Sequence, residues 1–255
     1  GRSLISPLNE QELEPEKMSD LCENTYKKLM TVSSATLTTV MFKRGLKNIF
    51  LQGEIRLRPG PNMVGTAYTL RYIPAREDLD HLDSFADRNN AQRKGVEECP
   101  AGTVFMIDSR MDASAASAGC ILATRLQSRG CRGIVTDGGF RDTPDIAELD
   151  MPAYHARPSA PTNLTRHHAV AVNDPIACGG VSVFPGDVIV GDNEGVVCIP
   201  RHMANEVADE AVEMTVFEDF VLDMVKQGAS TFGLYPPTAP STKDRFKTWR
   251  QEKGK

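Results

Sequence analysis

No two of the six cysteines stand in a C-x-x-C pair, and none belongs to a Cys/His cluster. That scatter argues against a zinc site or a disulfide framework and makes a reducing, cytoplasmic compartment the default expectation. No stretch approaches the ~18 apolar residues of a membrane span, so no membrane partner is expected. A long basic run is also missing: 29 basic against 34 acidic residues leave a net charge of −5. The balance leans against the backbone of a nucleic acid as the main partner. Repeats and low-complexity tracts are absent. The first residues, GRSLISPLNEQELEPEK, lack the apolar core of a signal peptide and begin with Gly. They read as a processed or engineered start and are set aside from the fold.

What remains is an ordinary globular composition of 255 residues, 40% hydrophobic and 25% charged, enough for one substantial core. Residues 1 to about 15 read as a loose polar arm. Met18, Leu21, Cys22, Tyr26 and Leu29 fall at helical spacing over residues 15–30. A second, short helix follows, with Ser33 or Ser34 as N-cap and Gly45 just past its end. NIFLQGEIRLRP and MVGTAYTLRYIP read as strands split by the turn PGPN, and residues 78–98 as a charged helix. TVFMID, 103–108, is the continuous apolar run of a covered strand. SAASAGCILATRLQSRG reads as a helix ending at Gly130, CRGIVTDGG as a strand, TPDIAELD as a helix and MPAYHA as a strand. This alternation predicts βαβ units and a partly parallel sheet. From residue 169 to 200, short alternating strands broken by GG, PGD and DNEG turns predict antiparallel pairing. A long helix over residues 201–226 and a proline-bearing tail complete the chain. The expected division is an arm and helix over 1–30, a main domain over 31–226, and a tail over 227–255 at a subunit interface.

The decapeptide TDGGFRDTPD, 136–145, sets Arg141 directly against Asp142 after two glycines. One reading has Asp142 capping the helix that begins at Thr143 or Pro144, with Arg141 solvated. The other has both side chains gripping one small anion. Parallel strands deliver their carboxyl ends to one sheet edge, where ligands bind. The helix starting near Gly119 and Cys120 would point its free N–H groups at that edge, a ready anion site. Amides around Gly119, Cys120, Ile121 and Leu122 can take the carboxylate of a 2-oxo acid, and the Arg141 fork can fix its plane. Asp142 can hold Mg²⁺ or Mn²⁺, which keeps most of its waters and stabilises an enolate as a Lewis acid.

The run GCILATRLQSRGCRGIVTDGGFRD, with PGDVIVGDNEGVVCIP 43 residues later, resembles the RraA-like family. That family includes the class II 4-hydroxy-4-methyl-2-oxoglutarate aldolases and the regulators of ribonuclease E. The resemblance spans roughly residues 30 to 225. It implies an α/β fold, a three-layer β/β/α sandwich of the swivelling type, here with N- and C-terminal extensions. It also implies trimers or hexamers with active sites at subunit clefts. The loop matching Gly119 to Leu122 would bind the substrate carboxylate through backbone amides, Arg141 the substrate and Asp142 a divalent metal. The implied reaction is retro-aldol cleavage of a 4-hydroxy-2-oxo acid to pyruvate, with oxaloacetate decarboxylation beside it. Alternatives are a non-catalytic ribonuclease regulator and a sugar-acid dehydratase. The family often carries an acidic residue or Asn where this chain has Cys120, so a side-chain contact to water would be lost there. For the base, a metal-activated water or a carboxylate lent by a neighbouring subunit fits, with Glu218 as the candidate.

Other polar residues carry two readings each. Asp187, Asp192, Asn193 and Glu194 can form a calcium cluster or serve turn geometry. Asp108 and Asp137 can reach a ligand or satisfy loop amides. Arg71 and Arg76 can read a second carboxylate or lie on the surface. His167 and His168 lack a third ligand at metal spacing. Cys120 can be a nucleophile beside a helix tip, but no His stands near it in sequence to act as base.

Overall fold

A computed structural model describes residues 21–255. Helices α1 (Glu23–Leu29) and α2 (Ser34–Lys43) are followed by strands β1 (Ile55–Arg56) and β2 (Met63–Pro74). Helix α3 (Ala91–Glu98) leads to β3 (Thr103–Asp108), β4 (Ala116–Ala118), α4 (Cys120–Ser128), β5 (Gly133–Thr136) and β6 (Gly139–Phe140). Then come α5 (Thr143–Ala147), β7 (Ala153–His155), β8 (Arg157–Pro158), β9 (His167–Val172), β10 (Ile176–Cys178) and β11 (Val181–Val183). Strands β12 (Val188–Gly191) and β13 (Val196–Ile199) precede the long α6 (Ala204–Lys226) and the terminal α7 (Pro240–Lys253).

Strands β2, β3, β5 and β7 lie side by side and parallel, as the strand–helix alternation predicts. Antiparallel β12 and β13 extend the sheet beyond β2, β9 pairs with the second half of β2, and β1 closes the edge at β7. Alternate residues of each strand go to opposite faces. On one face Phe105, Ile107 and Ile134 meet Val96 of α3 and Ala123 and Leu126 of α4. Farther along that face Val188, Val190 and Val197 meet Leu29, Leu37 and Val207 from α1, α2 and α6. On the other face Val104, Met106, Val135 and Ile189 pack on Ile176, Cys178, Val181 and Val183 of the β10–β11 hairpin. Helices, large sheet and second β layer make the three-layer β/β/α sandwich expected from the resemblance. Each fully buried Val, Leu, Ile or Phe stabilises it by about 1.5–3 kcal/mol. Among the described residues no helix is long and apolar enough to cross a membrane.

Several expectations need correction. Helix α1 is described only from Glu23, and the loose arm and residues 15–20 lie outside the described residues. The strand expected over 48–59 is broken: Phe50 makes one isolated bridge to Val197, and Gly53, at φ +89°, turns the chain before Ile55. Residues 78–98 are not one helix. Asp87 accepts from the Asn89 amide, and Asn90 caps Arg93 N, so the α-helix starts only at Ala91. The helix expected from residue 114 begins at Cys120, because buried Ala116–Ala118 form strand β4 instead. The tail, read without a helix, carries α7, whose Phe246 and Trp249 pack on Phe217 and Phe220 of α6. Elsewhere the reading holds: Ser33 caps α2 by accepting from Thr36 N, and Gly45 follows at φ +85°.

Candidate active site

Two very short strands build the site. β4 pairs with β6 in parallel, setting Ala118 beside Phe140, and Arg141 N donates to Ala118 O at 3.1 Å. The residues just beyond that pairing are Gly119, at the tip of α4, and the Arg141–Asp142 dipeptide. Asp142 stands at φ +56°, ψ +38°, a left-handed conformation that costs a non-glycine residue about 1–2 kcal/mol. It occupies the N-cap position of α5, yet its side chain makes no capping bond. The carboxylate is turned across to α4 instead, where Oδ2 accepts from Cys120 N at 3.3 Å and lies 3.6 Å from Arg141 Nε. The capping reading of Asp142 is therefore overturned.

Gly119 permits this approach. A Cβ built there would lie 2.8 Å from both Arg141 Cγ and Asp142 Oδ2. With φ −129° and ψ −175° the glycine is extended, so closeness to the Arg–Asp pair, not backbone strain, calls for it. Both side chains remain about half exposed, at 47% and 40%, and open into a cavity of about 190 Å³. Gly119, Ile121, Leu122, Arg141 and Asp142 all line it. Cys120 does not line it: its amide donates to Asp142 Oδ2, and its thiol faces Thr124 Oγ1 at 3.6 Å with no imidazole partner among the described residues. Ile121, 81% exposed, stands uncovered on the first turn of α4.

The far wall comes from residues that sequence reading missed. Arg93 at the start of α3 lies over the Phe85 ring at 4.6 Å, and its buried Nε has no acceptor among the described residues. Gln92 is buried and donates to Tyr72 Oη and Ser117 O at 2.8 and 2.9 Å. Asn163 completes that side. A signal was present in NNAQRK, whose Asn90 cap sets Gln92 and Arg93 on the first turn of a helix. With two guanidiniums and one carboxylate on its walls, the cavity favours an anion.

Beneath the site a buried polar layer holds the loops. Asp137 accepts from Ser109 N, Met111 N and Gly179 N at 2.6, 3.1 and 3.3 Å. Desolvation, aided by nearby Asp108, pushes its carboxyl up to about 6 against those amides. Asp108 accepts from Arg110 N and Ala177 N. Both aspartates thus satisfy loop amides and do not line the cavity. Ser109, Ser117 and Thr136 share a hydroxyl network at 2.6–3.1 Å. Buried Glu54 has no partner for either oxygen among the described residues, and desolvation raises it to about 8.

The remaining candidates take their plainer readings. Asp192 accepts from Ser34 N, Glu194 N and Gly195 N, and Asp187 from Phe184 N, which are turn and loop contacts. Arg76 pairs with Asp78 on the surface, and exposed Arg71 does not line the cavity. His168 pairs with Asp80, and buried His167 stacks on Tyr72. Glu218 accepts from Thr36 Oγ1 at 2.7 Å between α2 and α6, outside the cavity of its own chain. Among the described residues no group of three or more His, Cys, Asp or Glu can enclose a metal. Asp142 is the one carboxylate among the described residues that lines the cavity.

Residues 19–198 match the family model described as RraA-like, Aldolase/RraA. A protein of Halalkalibacterium halodurans named as a putative 4-hydroxy-4-methyl-2-oxoglutarate aldolase is 34% identical over 123 residues, 48% of this chain and 58% of that protein. Protein DlpA of Legionella pneumophila is 23% identical over 215 residues, 83% of this chain but 33% of that protein. The chain thus spans between a third and three-fifths of the length of these two relatives. Among solved structures, Streptomyces coelicolor RraAS2, described as an unusual member of the RNase ES inhibitor RraA family, superposes with a TM-score of 0.70 at 29% identity. That match covers 78% of this chain and 96% of RraAS2.

Proposed function

The chain belongs to the RraA-like family, and on that premise we propose that it is a divalent-metal-dependent lyase that cleaves a 4-hydroxy-2-oxo acid to release pyruvate. The observation that carries this reading is the Arg141–Asp142 pair, 3.6 Å apart, folded onto the glycine tip of α4 in one anion-favouring cavity. The amides of Ile121 and Leu122 and the Arg141 fork would bind the substrate carboxylate and fix the plane of the adjacent keto group, while the Cys120 amide holds the Asp142 carboxylate. Cleavage needs the 4-hydroxyl proton removed so that the O–H pair forms a C4 carbonyl, releasing the distal fragment as an oxo compound. The C3–C4 pair becomes the C2–C3 double bond as the 2-oxo π pair moves to its oxygen. Reprotonation at C3 then gives pyruvate. Arg141 faces the negative charge that develops at that oxygen.

The residues present fit Mg²⁺ or Mn²⁺. Asp142 supplies a cavity-facing carboxylate engaged only by one long amide bond and the Arg141 contact, and a hard cation held by one carboxylate keeps its remaining sites for water and ligand oxygens. When bound, the ion supplies Lewis-acid stabilisation of oxygen charge. Oxaloacetate decarboxylation requires the same charge stabilisation and is the expected side activity. Arg93, across the cavity, suits a second carboxylate on the substrate. For the base, Glu218 can act only across a subunit boundary, in the trimer or hexamer that the family suggests. A ribonuclease regulator, favoured by the likeness to RraAS2, would leave the Arg141–Asp142 geometry without a role. Pyruvate release coupled to lactate dehydrogenase, with oxaloacetate and a 4-hydroxy-2-oxo diacid, tests the lyase. No release from either substrate with Mg²⁺ present rejects it.

A further inference from the structure

A second cavity, of about 380 Å³ against about 190 Å³ for the candidate active site, lies at the opposite edge of the parallel sheet. Its wall includes Arg132 just before β5, Ala153 at the start of β7 and Met63 at the start of β2. Arg56, Arg58 and Arg132 all line it, against Asp150 as the one acidic residue there among the described residues. None of the three arginines forms an ion pair with a described carboxylate, whereas Arg44, Arg76, Arg125 and Arg250 each do.

Their contacts position them without using up their donors. Arg56 Nη1 donates to Gly60 O at 3.1 Å and to Asn193 Oδ1 at 3.5 Å, Nη2 donates to Pro61 O at 2.7 Å, and the guanidinium lies 5.7 Å from the Tyr154 ring. Arg58 Nη2 donates to Leu149 O at 3.1 Å. Arg132 reaches Val64 O at 3.5 Å and is held 4.0 Å over the Tyr26 ring. A guanidinium carries five N–H donors, so each retains donors that the protein does not satisfy. Three guanidiniums around one cavity give it a positive potential, and a multivalent anion would be drawn there while accepting the free donors.

We propose that this cavity is a binding site for a compact polyanion, a phosphorylated or polycarboxylate small molecule with at least two negative charges. Charge and fork geometry call for phosphate or carboxylate oxygens, and the volume suits a small organic anion. The site is separate from the Arg141–Asp142 cavity and does not depend on the lyase reading.

Calorimetric titration of the full chain in metal-free buffer, at fixed ionic strength, tests this with inorganic pyrophosphate and with citrate. A saturable binding component is expected that Arg58→Gln and Arg132→Gln each weaken about tenfold or more and that Arg141→Gln leaves unchanged. Arg58 is exposed, so its substitution leaves the fold intact and carries the test even where loss of the Arg132–Tyr26 contact lowers stability. Binding of pyrophosphate alone identifies a phosphate site, and of citrate alone a carboxylate site. Absence of saturable binding by both anions overturns the proposal. So does binding that survives Arg58→Gln but is lost in Arg141→Gln, since the anion would then occupy the other cavity.

Discussion

Replacing Gly119 with Ala tests the site geometry at one atom. The new Cβ would sit 2.8 Å from Arg141 Cγ, 2.8 Å from Asp142 Oδ2 and 3.2 Å from Arg141 Cδ, all inside contact distance. Something must move by several tenths of an ångström, and the obstructing atoms belong to half-exposed side chains, not to backbone. The fold yields cheaply: φ −129° suits alanine, and a poorer N-cap costs about 1 kcal/mol. Catalytic geometry does not, because a misplacement approaching 1 Å costs roughly 10²-fold in rate. Gly119→Ala should therefore lower kcat/KM for pyruvate release by about 10²-fold. Its stability, read from urea unfolding, should fall by only about 1 kcal/mol. Measured together, coupled pyruvate release and denaturant unfolding separate the two effects. A variant with near-normal activity would show that Arg141 and Asp142 are not used in this arrangement. One destabilised by several kcal/mol would show that the glycine serves packing.

Three further outcomes follow from the same structure. Arg141→Lys keeps the charge but loses the planar fork, so kcat and kcat/KM should both fall if the fork acts on developing charge, whereas a rise in KM alone would mark it as a positioning residue. Arg93→Gln should raise KM about tenfold or more for a diacid and leave that for a substrate without the distal carboxylate unchanged; equal effects on both would remove Arg93 from substrate recognition. Glu54 gives a pH signature. Its carboxyl is raised to about 8 in the fold from an ordinary 4.5, so the folded state binds the extra proton and stability falls as pH rises between those values. Glu54→Gln, neutral throughout, should match wild type near pH 5 and exceed it by about 3–5 kcal/mol at pH 9, read from urea unfolding at both pH values. Equal stability at pH 9 would place the carboxylate in contact with water.

Long signals in the sequence were legible and short ones were not. The apolar runs ending at Asp108 and Thr136, with the helix between them, announced the parallel pair β3–β5 and the sheet edge that carries the candidate site. The helix start at Gly119 and the Arg141–Asp142 dipeptide pointed to residues that line the cavity. What brings them together, the pairing of three-residue β4 with two-residue β6, is too short for any periodicity to reveal. Alanine-rich SAASA favours helix locally, and burial overrode that preference. Arg93 and Phe85 were hidden because Asp and Asn side chains divide residues 78–98 through their own backbone contacts, which charge patterning does not register. Helix α7 was obscured by its prolines, although Pro240 stands at the helix start, where proline is tolerated.

Metal dependence of pyruvate formation probes the proposed chemistry at its root. The full chain, stripped with EDTA and supplied with a 4-hydroxy-2-oxo diacid, should release pyruvate only after Mg²⁺ or Mn²⁺ is restored, and Asp142→Ala should stay inactive at saturating metal. Undiminished release in excess chelator, or an Asp142→Ala variant as active as wild type, would show that this carboxylate and its cation are not the working parts of the site.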